Sequence, residues 1–196
     1  MNDIEKPNSS NNDYLLEAQD LKVTFRAPGG HKLHAVDTIS LGVRTRETVG
    51  LVGESGSGKS TVALTLMRAH EPESGKIIFD GEDITHFAQS KLMPTRRRLQ
   101  MVFQDPYSSL DPRWTIRRVI SEPLKAHNFG TRKQINDRVE ELLNQVGLPE
   151  DSLDRVPSQF SGGQRQRIAV ARSLALEPDA IIADEPVSSL DVSIQA

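Results

Sequence analysis

The first part of the chain alternates between hydrophobic and polar positions, which is typical of β-strands. Leu21, Val23 and Phe25 are separated by polar residues, and the run Pro28–Gly30 has the composition of a turn. Further short strands are predicted over 33–43. This pattern predicts an antiparallel β region that continues to about residue 48.

The middle of the chain combines patterns typical of short strands, a loop and a helix. The apolar run 49–52 predicts a short buried strand, and the glycine-rich run 53–60 predicts a loop that leads into a helix over 61–69. Two more short strands are predicted over 76–79 and 99–103.

The last third of the chain has helical spacing. Helices are predicted over 115–127 and 131–146, and in the second of these the apolar residues recur at intervals of three and four positions. Ser161 begins another predicted helix, which ends before Pro178. The apolar run 180–183 predicts a buried strand.

Composition narrows the class of protein. The chain has 196 residues, of which 36% are hydrophobic and 26% charged, so it can bury a core of ordinary domain size. The net charge of -3 argues against a general nucleic-acid binder, and the absence of cysteine from this sequence excludes thiolate metal sites. No apolar run is long enough to cross a membrane. Residues 1–13 are polar and predict a disordered tail.

The strongest chemical signal is the run 53–60, which reads Gly-Glu-Ser-Gly-Ser-Gly-Lys-Ser. It fits the phosphate-binding pattern G-x-x-x-x-G-K-[ST], in which glycines let main-chain N–H groups converge on phosphate oxygens. Lys59 would reach the β- and γ-phosphates, and the Ser60 hydroxyl would bind Mg²⁺. The alternative is a flexible glycine turn without a ligand.

A pair of carboxylates follows the predicted strand 180–183. Asp184 would hold Mg²⁺ through water, and Glu185 would orient or deprotonate an attacking water. Acidic residues at a strand end are more commonly solvated loop charges, so the interpretation depends on the phosphate-binding loop upstream.

A third motif begins the predicted helix at Ser161. Gln164 follows three positions later, which is the capping-box pattern, yet Gly162 and Gly163 weaken the first helical turn. Exposed N–H groups at a helix start attract anions, and close approach of a phosphate would explain the glycines. The simpler alternative is a well-capped helix.

Taken in order, these motifs resemble those of the ATP-binding subunits of ABC (ATP-binding cassette) transporters. The family's order is met by Walker A at 53–60, the Q-loop glutamine Gln104, the signature at 161–164, Walker B ending at Asp184, and a D-loop at 188–191. The resemblance covers roughly residues 14–196. It implies an α/β P-loop NTPase fold, with an N-terminal antiparallel β region, a RecA-like core and a helical subdomain at about 105–165.

The resemblance also implies a role for each matching residue. ATP would contact Phe25, Gly53, Glu54, Ser55, Gly56, Ser57, Gly58, Lys59, Ser60 and Thr61. Catalysis would involve Lys59, Gln104 and Glu185, and Mg²⁺ would be bound by Ser60, Gln104 and Asp184. The ATP of a partner subunit would be contacted in trans by Ser161, Gly162, Gly163, Gln164 and Asp191. For Phe25, ordinary packing within the strand stands beside stacking on adenine.

Residues 105–116, with the signature extended as SGGQRQR, resemble the oligopeptide/dipeptide/nickel importer branch, and within it the F-type ATPase subunit. This implies a head-to-tail dimer with a second ABC ATPase subunit of the same or a different kind. It also implies two membrane permease subunits, a solute-binding protein, no nucleic acid, and a peripheral location on the cytoplasmic face of the bacterial membrane. Residues 105–116 would receive a permease coupling helix, or would serve internal packing.

Several positions depart from the family pattern. Residues 44–47 lack the usual Pro-Gly turn, Ser158 stands where histidine is common, and no histidine follows Asp191. The sequence therefore predicts that the C-terminal part of the core is missing. Two alternative functions remain: a non-transport ABC ATPase of the DNA-repair or translation type, or a truncated nucleotide-binding fragment without activity. The basic run 96–98 is interpreted as a solvated face or as intersubunit salt bridging.

Overall fold

The computed structural model describes residues 13–26, 29–105 and 109–185. Three features predicted from the sequence lie wholly or almost wholly outside the described residues: the polar tail, the central part of the segment after Gln104, and the D-loop with Asp191. The chain forms two compact units, one up to Arg96 and one from Arg97.

The first unit contains the predicted antiparallel β region. Its four-stranded sheet has the order β2-β1-β3-β4, with β1 (Tyr14–Arg26), β2 (Lys32–Arg44), β3 (Ser74–Phe79) and β4 (Glu82–Asp83). All three pairings are antiparallel, which confirms the prediction. The several short strands predicted over 33–43 are one strand of thirteen residues, β2.

Strand β1 changes phase along its length. Leu16 and Ala18 are buried, and so are Leu21 and Val23. The first pair has even numbers and the second odd numbers, so in a regular strand the two pairs would face opposite sides of the sheet. The ladder register shifts between them around Asp20, whose φ of +46° lies in the left-handed region. A bulge of this kind inserts a residue and returns the strand to its alternation, so both pairs face the core.

The run 49–52 is not a buried strand, so that prediction is wrong. None of its residues belongs to a strand, and Val49, Leu51 and Val52 are 46, 43 and 93% exposed. A strand needs a neighbour to pair its main-chain groups, and no described strand pairs with this run. Its apolar composition alone therefore does not produce a strand.

Two helices complete the first unit or lead out of it. Helix α1 (Lys59–Leu66) begins two residues earlier and ends three residues earlier than predicted. Helix α2 (Met93–Arg98), which the sequence did not predict, carries the basic run 96–98. Arg98 is half exposed and forms an ion pair with Asp179 within the chain.

The second unit combines a parallel strand pair with helices. Its elements are β5 (Leu99–Val102), α3 (Ile116–Ala126), α4 (Arg132–Gln145), two 3₁₀ turns at Glu150–Asp154 and Pro157–Gln159, α5 (Gly162–Leu174) and β6 (Ala180–Ala183). The three helices pack around a continuous apolar core. Its fully buried members include Ile120, Leu124, Leu142, Leu143, Leu153 and Ile168. The helical spacing predicted for α4 is confirmed, since its apolar positions form its buried face.

Two residues before α3, Ser109 and Trp114, contact the helical part of the second unit. Trp114 packs against this core, and the guanidinium of Arg118 lies 4.0 Å from the centre of its ring. On α5, Arg172 donates from Nη1 to the carbonyl oxygen of Ser109 at 2.6 Å. Within the described part of the chain, no helix combines the length and the apolar character that a membrane span requires.

Candidate functional site

The glycine-rich loop 53–58 leads directly into α1. Gly58 is the N-cap residue of this helix, has a φ of +94°, and provides no side chain to cap the first-turn N–H groups. A Cβ atom at Gly58 would lie 2.4 Å from the carbonyl oxygen of Ala35 on β2. The position therefore accepts only glycine, and the backbone can approach an anion closely at the positive end of the helix.

Lys59 extends back over the same loop. Its Nζ atom donates to the carbonyl oxygens of Gly53 and Glu54, both at 2.8 Å. The loop therefore surrounds the ammonium group of Lys59. Within the loop, Ser57 N–H donates to the carbonyl oxygen of Glu54 at 3.2 Å. The ammonium group of Lys59, which these two carbonyls bind, and the start of α1 together form a cradle suited to phosphate oxygens.

The ends of β5 and β6 bring two predicted catalytic residues together. The strands pair in parallel with Val102 opposite Ala183, and Asp184 N–H extends the ladder by donating to Val102 at 3.0 Å. The Gln104 amide then donates from Nε2 to Oε2 of Glu185 at 2.6 Å. Glu185 has a φ of +44°, in the left-handed region that is uncommon for a residue with a side chain.

The predicted signature motif forms the start of α5. Ser161 is the N-cap, and its side chain accepts a hydrogen bond from Gln164 N–H at 3.3 Å. The Gln164 side chain accepts in return from Ser161 N–H at 3.0 Å. The capping box is therefore present as predicted, and it holds Gly162 and Gly163 in the first helical turn.

Phe25 lies near the end of β1 and is half buried. Its ring meets the ring of His70 edge-on, with centroids 5.1 Å apart and an interplanar angle of 79°. Packing against His70 therefore covers part of the Phe25 ring. Stacking on adenine stays a prediction.

A polar network beside Phe25 was not predicted from the sequence. The Thr24 hydroxyl donates to the carboxylate of Glu73, Lys32 donates to its other oxygen at 2.9 Å, and Thr24 Oγ1 lies 3.1 Å from His34 Nδ1. The hydrogen bonds from Thr24 and Lys32 lower the pKa of Glu73 to about 2. Glu73 lies far from the others in sequence, and only the pairing of the strands brings it near them.

The residues suggested for Mg²⁺ have suitable chemistry. A hydroxyl at Ser60, an amide at Gln104 and a carboxylate at Asp184 offer the oxygen atoms that Mg²⁺ prefers. Among the described residues, no group of three or more acidic or histidine side chains forms a metal cage by itself. Mg²⁺ commonly completes its shell with substrate phosphates and water, so it needs few side-chain ligands. Binding of Mg²⁺ by these three residues stays a prediction.

Comparison with known proteins identifies relatives for most of the chain. The family model described as "ABC transporter" matches residues 36–188. The oligopeptide transport ATP-binding protein AppF of Bacillus subtilis (strain 168) is 48% identical over 195 residues, which cover 96% of this chain and 59% of AppF. The oligopeptide transport ATP-binding protein OppF of the same organism is 49% identical over 184 residues, or 93% of this chain and 60% of OppF. The chain thus spans about three fifths of the length of these two relatives.

A solved structure agrees with the sequence relatives. It is a dimeric structure of a post-hydrolysis state of the ATP-binding cassette MJ0796 bound to ADP and Pi, with a TM-score of 0.84 and 30% identity. The match covers 91% of this chain and 77% of that one. The fold is that of an ABC ATPase cassette, as the motifs predicted, and the chain belongs to the ABC transporter family.

Proposed function

We propose that this chain is the ATP-binding and ATP-hydrolysing part of an ABC importer for oligopeptides or related small solutes. The observation that carries the hydrolytic part of the proposal is the hydrogen bond between Gln104 and Glu185 at the ends of β5 and β6. An amide and a carboxylate at this position can together hold and activate a water molecule.

The phosphate-binding loop has the first role. Lys59 exchanges its carbonyl contacts with Gly53 and Glu54 for phosphate oxygens and neutralises their charge. The first-turn N–H groups of α1 contribute further positive potential at the same point. Bound ATP with Mg²⁺ supplies the phosphoanhydride bond and the cation that offsets phosphate charge, with Ser60, Gln104 and Asp184 as the protein ligands.

Glu185 has the second role. Its carboxylate accepts a proton from the attacking water, and Gln104 orients that water through its amide. The existing hydrogen bond fixes the carboxylate before any substrate arrives, so less reorganisation is needed during the reaction.

The signature motif has the third role. In a head-to-tail dimer, Ser161 and the N–H groups of Gly162 and Gly163 bind the γ-phosphate held by the partner subunit. The start of α5 suits an anion, and the similar cassette MJ0796 has been solved as a dimer, which supports this arrangement. Gln164 and Asp191 would join the same contact, although Asp191 lies outside the described residues.

The transported solute is inferred from the relatives. AppF and OppF are both described as oligopeptide transport ATP-binding proteins, so we infer peptides as the solute class. The proposed partners are a second ATPase subunit, two membrane permease subunits and a solute-binding protein. We place the assembly at the cytoplasmic face of the bacterial membrane, with residues 105–116 as the docking segment for a permease coupling helix.

The test uses Glu185→Gln in the full-length protein. We expect this variant to bind ATP, to accumulate as an ATP-dependent dimer, and to lose nearly all hydrolysis, because the amide cannot accept the proton. Hydrolysis at the unsubstituted rate would contradict the role of Glu185.

Purification of the tagged full-length protein from its own cells separates transport from the alternatives. Recovery of permease subunits supports the importer. Recovery of DNA or ribosomes instead would contradict it and favour the non-transport class. Binding of ATP without any hydrolysis would favour a nucleotide-binding fragment.

A further inference from the structure

Two arginine side chains hold the short 3₁₀ turn that precedes the signature motif. Arg165, on α5, donates from Nε to the carbonyl oxygen of Pro157 at 2.7 Å and from Nη2 to that of Ser158 at 3.5 Å. Arg155 donates from Nη2 to the carbonyl oxygen of Gln159 at 2.6 Å. Three consecutive carbonyl groups, those of Pro157, Ser158 and Gln159, are therefore bound by guanidinium groups.

The two arginines differ in their surroundings. Arg165 is 5% exposed and reaches the turn from inside the fold. Arg155 is half exposed, and its guanidinium lies 4.3 Å from the centre of the buried ring of Phe160. Desolvation of a guanidinium is costly, so its hydrogen bonds to the turn matter more at the buried Arg165.

The turn sets the direction in which α5 begins. Within it, Gln159 N–H donates to Val156 at 3.0 Å and Phe160 N–H donates to Pro157 at 3.2 Å, so the carbonyl of Pro157 serves both the turn and Arg165. Only Phe160 separates the turn from the N-cap Ser161. A shift of the turn would therefore move Ser161 and the N–H groups of the next two residues.

The signature needs such external support because of its own composition. Gly162 and Gly163 give the backbone much conformational freedom, and glycine in a helix costs about 1 kcal/mol relative to alanine. The capping box constrains this segment from the helix side, through Gln164. Arg165 constrains the segment from its N-terminal side. This residue belongs to α5, and its side chain binds the turn that precedes the signature.

We propose that Arg165 is a positioning residue for the signature motif, which it holds in the geometry that binds a partner subunit's nucleotide. The proposal rests on the proposed function and deepens it. Arg165 touches neither nucleotide nor Mg²⁺ in this role. It acts through the carbonyl groups of Pro157 and Ser158.

Positioning of the signature motif and binding of nucleotide by the run 53–60 can be separated experimentally. In the full-length Glu185→Gln protein, Arg165→Met should weaken ATP-dependent dimerisation by about tenfold or more, because the bonds lost involve a charged donor. The affinity of the separate subunit for a fluorescent ATP analogue should change less than twofold, because that affinity depends on the run 53–60. Dimerisation is measured by analytical ultracentrifugation, and retention of unsubstituted dimer strength would overturn the proposal.

Arg167 offers a matched control on the same helix. It donates from Nη1 to the carbonyl oxygen of Val146 at 3.3 Å, at the end of α4 and away from the signature. Arg167→Met removes the same chemical group and a similar bond, so it should reduce stability while leaving ATP-dependent dimerisation unchanged. Equal losses of dimerisation in the two variants would show a general structural effect and would contradict the proposal.

A second variant covers the case in which Arg165→Met does not fold. Arg165→Lys keeps the positive charge but presents no planar fork, so it holds fewer carbonyl groups at once. Amide hydrogen exchange over 158–164 should be about tenfold faster in Arg165→Lys than in Arg167→Lys, without any nucleotide. Unchanged exchange would overturn the proposal. Failure of the unsubstituted protein to bind ATP would instead contradict the proposed function, and the exchange experiment would still decide whether Arg165 holds the turn.

Discussion

At the scale of single residues, two of the predicted site residues have left-handed backbone conformations. Gly58 at the start of α1 and Glu185 after β6 both have positive φ angles, +94° and +44°. At Gly58 the absence of a side chain resolves the strain, whereas Glu185 needs its carboxylate and is held by Gln104. Strain of this kind persists only where neighbouring structure enforces it.

Substitution of Gly58 by alanine should be costly for two reasons that can be separated. Positive φ alone costs an alanine about 1 kcal/mol, and the added Cβ would also collide with the Ala35 carbonyl. We expect Gly58→Ala to lose about 2–3 kcal/mol of unfolding free energy and most of its ATP affinity. Gly30→Ala is the control, because Gly30 has a φ of +83° with no atom within 4 Å of the added Cβ. Urea denaturation should show a loss of only about 1 kcal/mol for the control. Equal losses would contradict the steric argument.

The carboxyl group of Glu73 should titrate well below its usual pKa of 4.5. Hydrogen bonds from Thr24 and then Lys32 lower the pKa to about 2, so the network stabilises the fold above pH 4.5 and loses this contribution as the pH falls towards 2. Thr24→Val and Lys32→Met should each raise the pKa of Glu73, because each removes a hydrogen bond that stabilises its carboxylate. Carboxyl titration by NMR measures both variants, and an unchanged pKa in either one would contradict the contribution of that residue.

At the scale of elements, the same capping device occurs on two helices with different tasks. Helix α4 begins with a capping box between Thr131 and Gln134, and α5 begins with one between Ser161 and Gln164. Only the second lies in the signature motif. A comparison of the two helices therefore separates the contribution of a capping box to stability from its contribution to nucleotide contact.

Substitution of each N-cap residue by alanine tests this separation. Thr131→Ala and Ser161→Ala should each cost about 1 kcal/mol of unfolding free energy, because each helix loses one capped N–H group. In the full-length protein, only Ser161→Ala should also reduce ATP-dependent dimerisation and hydrolysis. Chemical denaturation and steady-state ATPase assays provide the two measurements. A comparable loss of hydrolysis in Thr131→Ala would contradict the special role of the signature helix.

At the scale of the whole molecule, ligand binding should raise stability through the phosphate-binding loop. A ligand that binds only the folded protein at one hundred times its dissociation constant adds about 2.7 kcal/mol. We expect ATP to raise the melting temperature of the full-length protein and Lys59→Ala to remove most of this rise. Lys91→Ala is the control, since Lys91 contacts Phe87 and Glu82 on the surface. Thermal unfolding with and without ATP measures the effect, and an undiminished rise in Lys59→Ala would contradict the role of Lys59.

The sequence predicted best what depends on neighbouring residues. Caps and helical spacing located α3, α4 and α5 within one or two residues at most ends, and the glycine-rich loop was evident from its pattern. The sequence predicted worst what depends on distant pairing. The run 49–52 has strand composition without a described strand beside it, and the contact of Thr24 with Glu73 joins residues 49 positions apart. The bond between Gln104 and Glu185 likewise follows from the register of β5 on β6, which no local pattern specifies.

The packing of Trp114 gives the chain an optical reporter. It is the single tryptophan of this sequence, its indole rests on the helical core, and the cationic group of Arg118 lies over its face. Indole emission responds to nearby charge and to solvent contact. Its fluorescence would therefore report, without any added label, a change in the surroundings of this indole if the docking proposed for residues 105–116 takes place.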